Sequence, residues 1–313
     1  MKIKKQININ RFLPGVQKNI SLKNYTTFRI GGRAKYFFTA KTKEDLIRAV
    51  AMAKKLKLPF FILGGGSNLL VSDKGYKGLI IKFQNPNSKI QIPKSKFQNP
   101  KIYVEAGAML RELLNATAKA GLSGLEWAAG IPGTVGGAVY GNCGAFGKSI
   151  ADIVESVEVL DVNKIPNFEI QTKILRNHNC RFGYRESIFK RNKNLIILSA
   201  NIKLKKGKKK EIQKKIKECL NYRKRHQPLN YPSVGSVFKN PKGFSAGELG
   251  EKCGLKGKRI GRAKISEKHA NFIVNLGGGK AKNVMRLINL VKKKVKKKFK
   301  INLEEEIQHL PER

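Results

Sequence analysis

Residues 126–147 read EWAAGIPGTVGGAVYGNCGAFG. Seven glycines (Gly130, Gly133, Gly136, Gly137, Gly141, Gly144 and Gly147) stand with Pro132 among small apolar residues. So many glycines leave too little side-chain contact to offset the entropy of ordering their backbone, which argues against an ordinary helix. The composition makes sense where the main chain itself must approach a large anion. With no side chain in the way, consecutive N–H groups can turn inward and hold a diphosphate. A second glycine-rich stretch, Gly64, Gly65, Gly66, Ser67 and Asn68, lies upstream. Alone it is a weak signal, because glycine turns often do no more than connect strands. No long helix follows it at once, so it is not the GxGxxG pattern. Two such stretches in one domain point to a dinucleotide, and Ser67 and Asn142 add side chains able to bond its oxygens.

The rest of the chain bounds that reading. It has 313 residues, 41% of them hydrophobic, which is enough for two or three domains with real cores. No apolar run is long enough to span a bilayer, and the basic start MKIKKQININRF is not followed by the apolar stretch of a signal peptide. Cys143, Cys180, Cys219 and Cys253 are widely spaced with no CxxC pair, so no zinc site, other metal site or disulfide framework is expected, and a reduced, cytoplasmic setting is.

The net charge of +44 invites a nucleic-acid reading. The lysine positions argue against it. In AKNVMRLINLVKKKVKKKFK, residues 281–300, Val284, Ile288, Val291, Val295 and Phe299 form one helical stripe, and lysines fill the other faces. The run from Lys203 leads into a similar helix with Ile212, Ile216 and Leu220. Both read as solvated helix faces, and no nucleic-acid partner is expected.

Strand and helix signals alternate, which indicates an α/β or α+β fold. A turn and strand at 26–38 precede a helix in KTKEDLIRAVAMAKKLKLP (41–59), with Thr42 as cap, Asp45 three residues on and Pro59 beyond its end. Strands are predicted at 60–63, 69–71, 79–83, 102–105, 153–160, 195–202 and 271–275, and a last one at 301–309. Helices are predicted at 109–120, closed by Gly121, in the basic stretch ending near 225, near 245–254, and in the second basic stretch. The proline-containing segment 85–100 reads as an exposed hairpin or loop.

The motifs resemble those of the UDP-N-acetylenolpyruvoylglucosamine reductases, flavoenzymes that make UDP-N-acetylmuramate for the bacterial cell wall. ILGGGSNLLVSD (62–73), GLEWAAGIPGTVGGAVYGNCGAFG (124–147), CRFGYRESIFK (180–190), YRKRHQP (222–228), PSVGSVFKNP (232–241), GLKGKRIGRAKISEKHANFIVN (254–275) and INLEEEI (301–307) occur in the family's order over nearly the whole chain. The short connection from YRES to LIILSANIKL is similar to the family's second, shorter type. The resemblance implies an α+β fold: a two-subdomain FAD-binding domain of the PCMH, or vanillyl-alcohol-oxidase, kind followed by a C-terminal α/β substrate-binding domain. The expected divisions are an N-terminal segment 1–25, an FAD domain 26–205 with subdomains near 26–85 and 100–205, and a substrate domain 206–313. It also implies noncovalent FAD, held by Gly64, Gly65, Gly66, Ser67, Asn68, Ile131, Pro132, Gly133, Thr134, Gly136, Gly137, Asn142, Gly144 and Ala145. NADPH is the implied reductant and UDP-N-acetyl-enolpyruvylglucosamine the implied substrate; the protein is expected to be a monomer.

Three residues carry over as catalytic: Arg185 in GYRES, Ser236 in VGSVFKNP and Glu306 in LEEEI. Arg185 is a permanent forked cation suited to the substrate carboxylate, on which charge builds as hydride arrives at the vinyl terminus. Ser236 is implied as the proton donor to the neighbouring carbon; its residues alone favour a turn serine bonded to its own backbone. Glu306 lies off the face shared by Ile301, Leu303 and Ile307, and is open to a role as acid or as orienter of Arg185. The family commonly has proline where Glu305 stands, which makes Glu305 a competing carboxylate. Tyr184, Lys239, Asn240 and His269 resemble substrate contacts, the lysine and asparagine meeting the UDP portion. Cys143 reads as a packing residue. Two other classes stay in view: a sugar or lactone oxidase on the same fold, and a non-catalytic polyanion binder.

Overall fold

The computed structural model describes residues 9–85, 87–93, 100–162 and 172–312. Residues 86 and 94–99 of the expected hairpin, and the start of the N-terminal segment, lie outside them.

The fold is α+β and is built on three sheets. The first has strand order Gln17–Ser21, Arg33–Ala40, Tyr76–Phe83, Phe60–Leu63. Its first pair is antiparallel and the others parallel. The crossover from Arg33–Ala40 to Phe60–Leu63 is the helix Lys43–Lys55. Thr42 caps that helix, its hydroxyl accepting from the Asp45 amide at 3.1 Å. Leu46, Ala49, Val50 and Ala53 are fully buried on the sheet. Burying a side chain such as Leu46 or Val50 is worth about 1.5–3 kcal/mol. Lys54 and Lys55 close the helix, where the dipole favours cations.

The second sheet is antiparallel, in the order Thr172–Arg176, Val154–Asp161, Leu195–Lys203, Lys101–Glu105, Ile90–Gln91. The third is also antiparallel: Ser233–Ser236, Phe272–Asn275, Ala263–Ile265, Arg259–Ile260. The helix Ala281–Phe299 packs against this third sheet through Val284, Leu287, Ile288, Val291 and Val295. Its lysines therefore occupy the remaining faces, and the same division holds on Lys209–His226, where Ile212 is buried.

Two expectations need correction. Part of the glycine-rich segment is helical after all: Val135–Tyr140 forms one and a half turns, capped by the Thr134 hydroxyl, which accepts from the Gly137 amide at 3.3 Å. Glycine is tolerated there because the backbone runs against its neighbour. A Cβ on Gly136 would lie 2.8 Å from the Ala106 Cβ. The last strand is shorter than expected and covers only Gln308–Leu310, parallel to Leu69–Val71. Residues 301–307 are held by a bridge between Phe238 and Glu305 instead. This returning tail ties the C-terminal unit to the first glycine loop. Phe28, Ile30 and Leu70, from the N-terminal part of the chain, are buried in the same core as Val237, Phe238 and Ile307.

Candidate active site

The two glycine segments meet. A Cβ on Gly65 would lie 2.5 Å from the Gly133 Cα, and the Ser67 hydroxyl donates to the Pro132 carbonyl at 3.0 Å. They form one wall of a cavity of about 1360 Å³. That exceeds the roughly 300–1,000 Å³ usual for a single drug-sized ligand. Gly64 to Asn68, Ile131 to Thr134, Gly136, Gly137 and Gly144 all line it. The amides of Gly65, Gly66, Ser67, Gly133 and Thr134 donate to no protein acceptor among the described residues. Those of Gly136 and Gly137 do not remain open in this way: they donate to the Ala106 carbonyl and the Thr134 hydroxyl. Asn142 and Ala145 are not among the lining residues. The Asn142 side chain is engaged at both ends, donating to the Gly183 carbonyl at 2.7 Å and accepting from the Ala151 amide at 3.1 Å. It braces the segment against the GYRES turn.

Arg185, Ser236 and Glu306, drawn from three separate stretches, all line this cavity. Arg185 has φ +58°, uncommon for a side-chain-bearing residue and frequent where a site constrains the backbone. Its Nε donates to Glu306 Oε1 at 2.7 Å and its Nη2 to the Gly144 carbonyl at 2.8 Å. Its Nη1 has no protein acceptor among the described residues, so one arm of the fork is free for a ligand carboxylate. Burial pushes the Glu306 carboxyl above its ordinary value, and the Arg185 cation works against that rise. The Glu306 amide donates to the Val237 carbonyl at 2.8 Å, which places it one residue from Ser236. The Ser236 hydroxyl makes no hydrogen bond to the protein among the described residues. The turn-serine arrangement belongs to Ser233, whose oxygen accepts from the Gly235 amide at 3.5 Å.

Glu305 is not at the cavity. Lys292 Nζ lies 2.5 Å and His309 Nε2 2.7 Å from its two oxygens. Burial pushes its carboxyl up, but the bonds from His309 and Lys292 outweigh that and hold it at about 2. Cys143 does line the cavity, and burial raises its thiol to about 11, which keeps it protonated and a poor nucleophile.

Tyr184, Lys239, Asn240 and His269 are not among the lining residues. Tyr184 is exposed; its ring lies 5.3 Å from the Arg185 guanidinium and its hydroxyl accepts from the Asn240 amide at 3.3 Å. Lys239 is buried between Glu186 at 3.1 Å and Glu304 at 2.5 Å. The Asn240 side-chain oxygen accepts from the Ala246 amide at 3.0 Å. His269 is apart from this group: its ring is tilted against Phe272 with centroids 5.0 Å apart, it accepts from the Asn271 amide, and burial lowers its pKa.

Sequence reasoning missed Arg223. It lines the cavity, is only 8% exposed, and donates to the Ala129 carbonyl at 2.8 Å with no carboxylate partner among the described residues. The signal was available: Ile212, Ile216, Cys219 and Arg223 follow one helical stripe, so a cation sits where an apolar side chain is expected. Lys82 was missed in the same way.

Open amides on touching glycine loops, beside buried cations that lack carboxylates, are a donor set that fits a diphosphate-bearing cofactor. FAD carries such a diphosphate and fits this donor set. Among the described residues no group of histidine, cysteine and carboxylate side chains is placed to hold a metal, and no helix is long and apolar enough to cross a membrane.

Comparison with known proteins gives concordant matches. Residues 34–164 match the FAD binding domain family. Residues 227–310 match the family described as UDP-N-acetylenolpyruvoylglucosamine reductase, C-terminal domain. The UDP-N-acetylenolpyruvoylglucosamine reductase of Caldanaerobacter subterraneus subsp. tengcongensis is 43% identical over 295 residues, covering 94% of this chain and 93% of that protein. The one from Caldicellulosiruptor bescii is 46% identical over 297 residues, covering 94% and 90%. The crystal structure of the Thermus caldophilus enzyme superposes with a TM-score of 0.78 at 37% identity, covering 94% of this chain and 98% of that one.

Proposed function

The chain belongs to the UDP-N-acetylenolpyruvoylglucosamine reductases, FAD-dependent oxidoreductases, and from that premise we propose that it reduces UDP-N-acetyl-enolpyruvylglucosamine to UDP-N-acetylmuramate with NADPH. The setting is peptidoglycan precursor synthesis in the cytoplasm, without nucleic acid or other macromolecular partner. The observation that carries this reading is the 2.7 Å contact between Arg185 and Glu306, made across 121 residues of chain on the same cavity as Ser236 and both glycine loops.

FAD, bound along the glycine loops, supplies the hydride chemistry between the nicotinamide and the vinyl terminus of the enolpyruvyl group. The protein's part is charge, position and one proton. Arg185 is held by Glu306 and the Gly144 carbonyl, and its Nη1, without a protein acceptor among the described residues, is left for the substrate carboxylate. A guanidinium already fixed there stabilises the negative charge that builds at the carboxylate without reorganising. Glu306 orients it: its oxygen accepts the Nε proton, a contact that a protonated carboxyl would weaken. Ser236 gives its proton to the carbon next to the carboxylate. A hydroxyl is a weak acid, but its target is a strongly basic carbanion, and the Ser236 oxygen carries no competing bond to the protein among the described residues.

Loss of a general acid lowers rate by about 10²–10⁴-fold. Ser236→Ala is therefore expected to keep wild-type flavin reduction by NADPH and to lose substrate reduction by that factor in rapid-mixing absorbance measurements. Equal rates for both steps in the variant would remove Ser236 from the mechanism.

A further inference from the structure

Lys82 interrupts an otherwise apolar strand, GLIIKF, that is paired on both sides in parallel. Central strands of parallel sheets are usually continuous runs of apolar residues. Its register partners are Thr39 and Leu63, and its neighbours Ile81 and Phe83 are buried. The ammonium donates to the Gly64 carbonyl and to Gln84 Oε1, both neutral, and has no carboxylate partner among the described residues. Burial without a counter-charge brings its pKa down to about 8. A cation kept in such surroundings is unfavourable unless something else supplies the negative charge. Lys82 lines the cavity, and its carbonyl partner opens the loop whose Gly65, Gly66 and Ser67 amides have no protein acceptor among the described residues.

We infer that Lys82 is a cofactor-binding residue whose ammonium supplies the counter-charge to the diphosphate of FAD. This rests on the FAD reading above. Main-chain amides and a cation held at the same loop suit a diphosphate, the amides giving direction and the lysine giving charge. Two further cavity cations have no carboxylate partner among the described residues: Arg29, which is exposed, and Arg223, which is placed differently. The Arg223 Nε and Nη2 donate to the Ala129 and Trp127 carbonyls, its guanidinium lies 5.5 Å from the Phe146 ring, and Arg185 is close enough to lower its pKa further. Lys82 is the cation anchored to the first glycine loop.

Diphosphates also occur in NADPH and in the sugar nucleotide, so the test separates the three. Apoprotein is titrated with FAD by flavin fluorescence for wild type, Lys82→Met, Lys82→Gln and Lys82→Arg, with thermal melts of each apoprotein to confirm folding. Lys82→Met and Lys82→Gln are expected to raise the FAD Kd at least about tenfold, and Lys82→Arg to stay within about threefold, as for a bond between charged groups. At saturating FAD, KM for NADPH and for the enolpyruvyl nucleotide should remain at wild-type values. A folded Lys82→Gln that binds FAD like wild type would reduce the lysine to a neutral tether for Gly64 and overturn the inference. So would a raised KM for either nucleotide with FAD affinity intact. Wild-type apoprotein that takes up no FAD would instead overturn the proposed function.

Discussion

Glu305 and Glu306 are consecutive, yet the structure gives them opposite surroundings. Glu305 faces the helix Ala281–Phe299 and is gripped by Lys292 and, from its own segment, by His309. Although burial opposes it, those bonds bring its carboxyl to about 2. Glu306 faces the cavity, where burial raises its carboxyl and Arg185 is its one side-chain hydrogen-bond partner among the described residues. One step along an extended segment thus separates a carboxylate used to hold the fold from one set beside the reaction. The structural glutamate serves the other. By pinning the returning tail to the helix, it fixes the stretch in which the Glu306 carbonyl accepts from Asn68 Nδ2 at 3.0 Å and the Gln308 amide donates to the Asn68 carbonyl at 3.0 Å.

Among the changes that probe this contrast, removing the partner of the cavity-side carboxylate should have the largest effect. Arg185→Met takes away the fixed cation that meets the developing charge, and kcat for substrate reduction is expected to fall about 10²–10³-fold. Flavin reduction by NADPH should persist. A loss of flavin reduction as well would mean that the residue shapes the cavity rather than the chemistry.

Glu306→Gln keeps an oxygen for Arg185 Nε and should lower kcat by roughly tenfold. Glu306→Ala, which lets the guanidinium drift, should lower it by about 10²-fold. If Glu306→Gln were as damaging as Ser236→Ala, the carboxyl would be a proton donor and the contrast drawn here would change.

The smallest effect on turnover belongs to Glu305→Gln, expected to remain within about fivefold of wild type when folded. Its effect is on stability. The folded pKa of Glu305 is depressed from 4.5 to about 2, so its stabilisation is present above about pH 4.5 and disappears as the pH falls through about 2. Urea melts at pH 7 should show a loss of about 2–4 kcal/mol, shrinking as the pH drops below 4.5. A gap between the two proteins that did not change over that range would mean that the ion pairs are not its source.

Much of this was legible in the chain. Thr42 with Asp45 marked a helix start because capping is local, and the alternation of Leu303, Ile307 and Glu306 placed Glu306 off the apolar face because side-chain parity is local too. The glycine segments pointed to backbone donors for the same reason. What the pattern could not reveal is who meets whom. Nothing near Gly136 announces that it sits against Ala106, so the short helix Val135–Tyr140 went unread. Asn142 is polar and flanked by glycine, but its amide bonds Gly183 and Ala151, contacts that only the folded chain makes. The parallel pairing of Gln308–Leu310 with Leu69–Val71 joins residues more than two hundred positions apart. Arg223 and Lys82 left a trace as cations on apolar positions, a trace that the abundance of lysine elsewhere concealed.

The most direct test is the visible spectrum of the purified protein through one cycle. A yellow protein that NADPH bleaches under anaerobic conditions, and that regains its colour in proportion to added UDP-N-acetyl-enolpyruvylglucosamine, is the predicted result. A reduced flavin that stays colourless when that nucleotide is added would contradict the account.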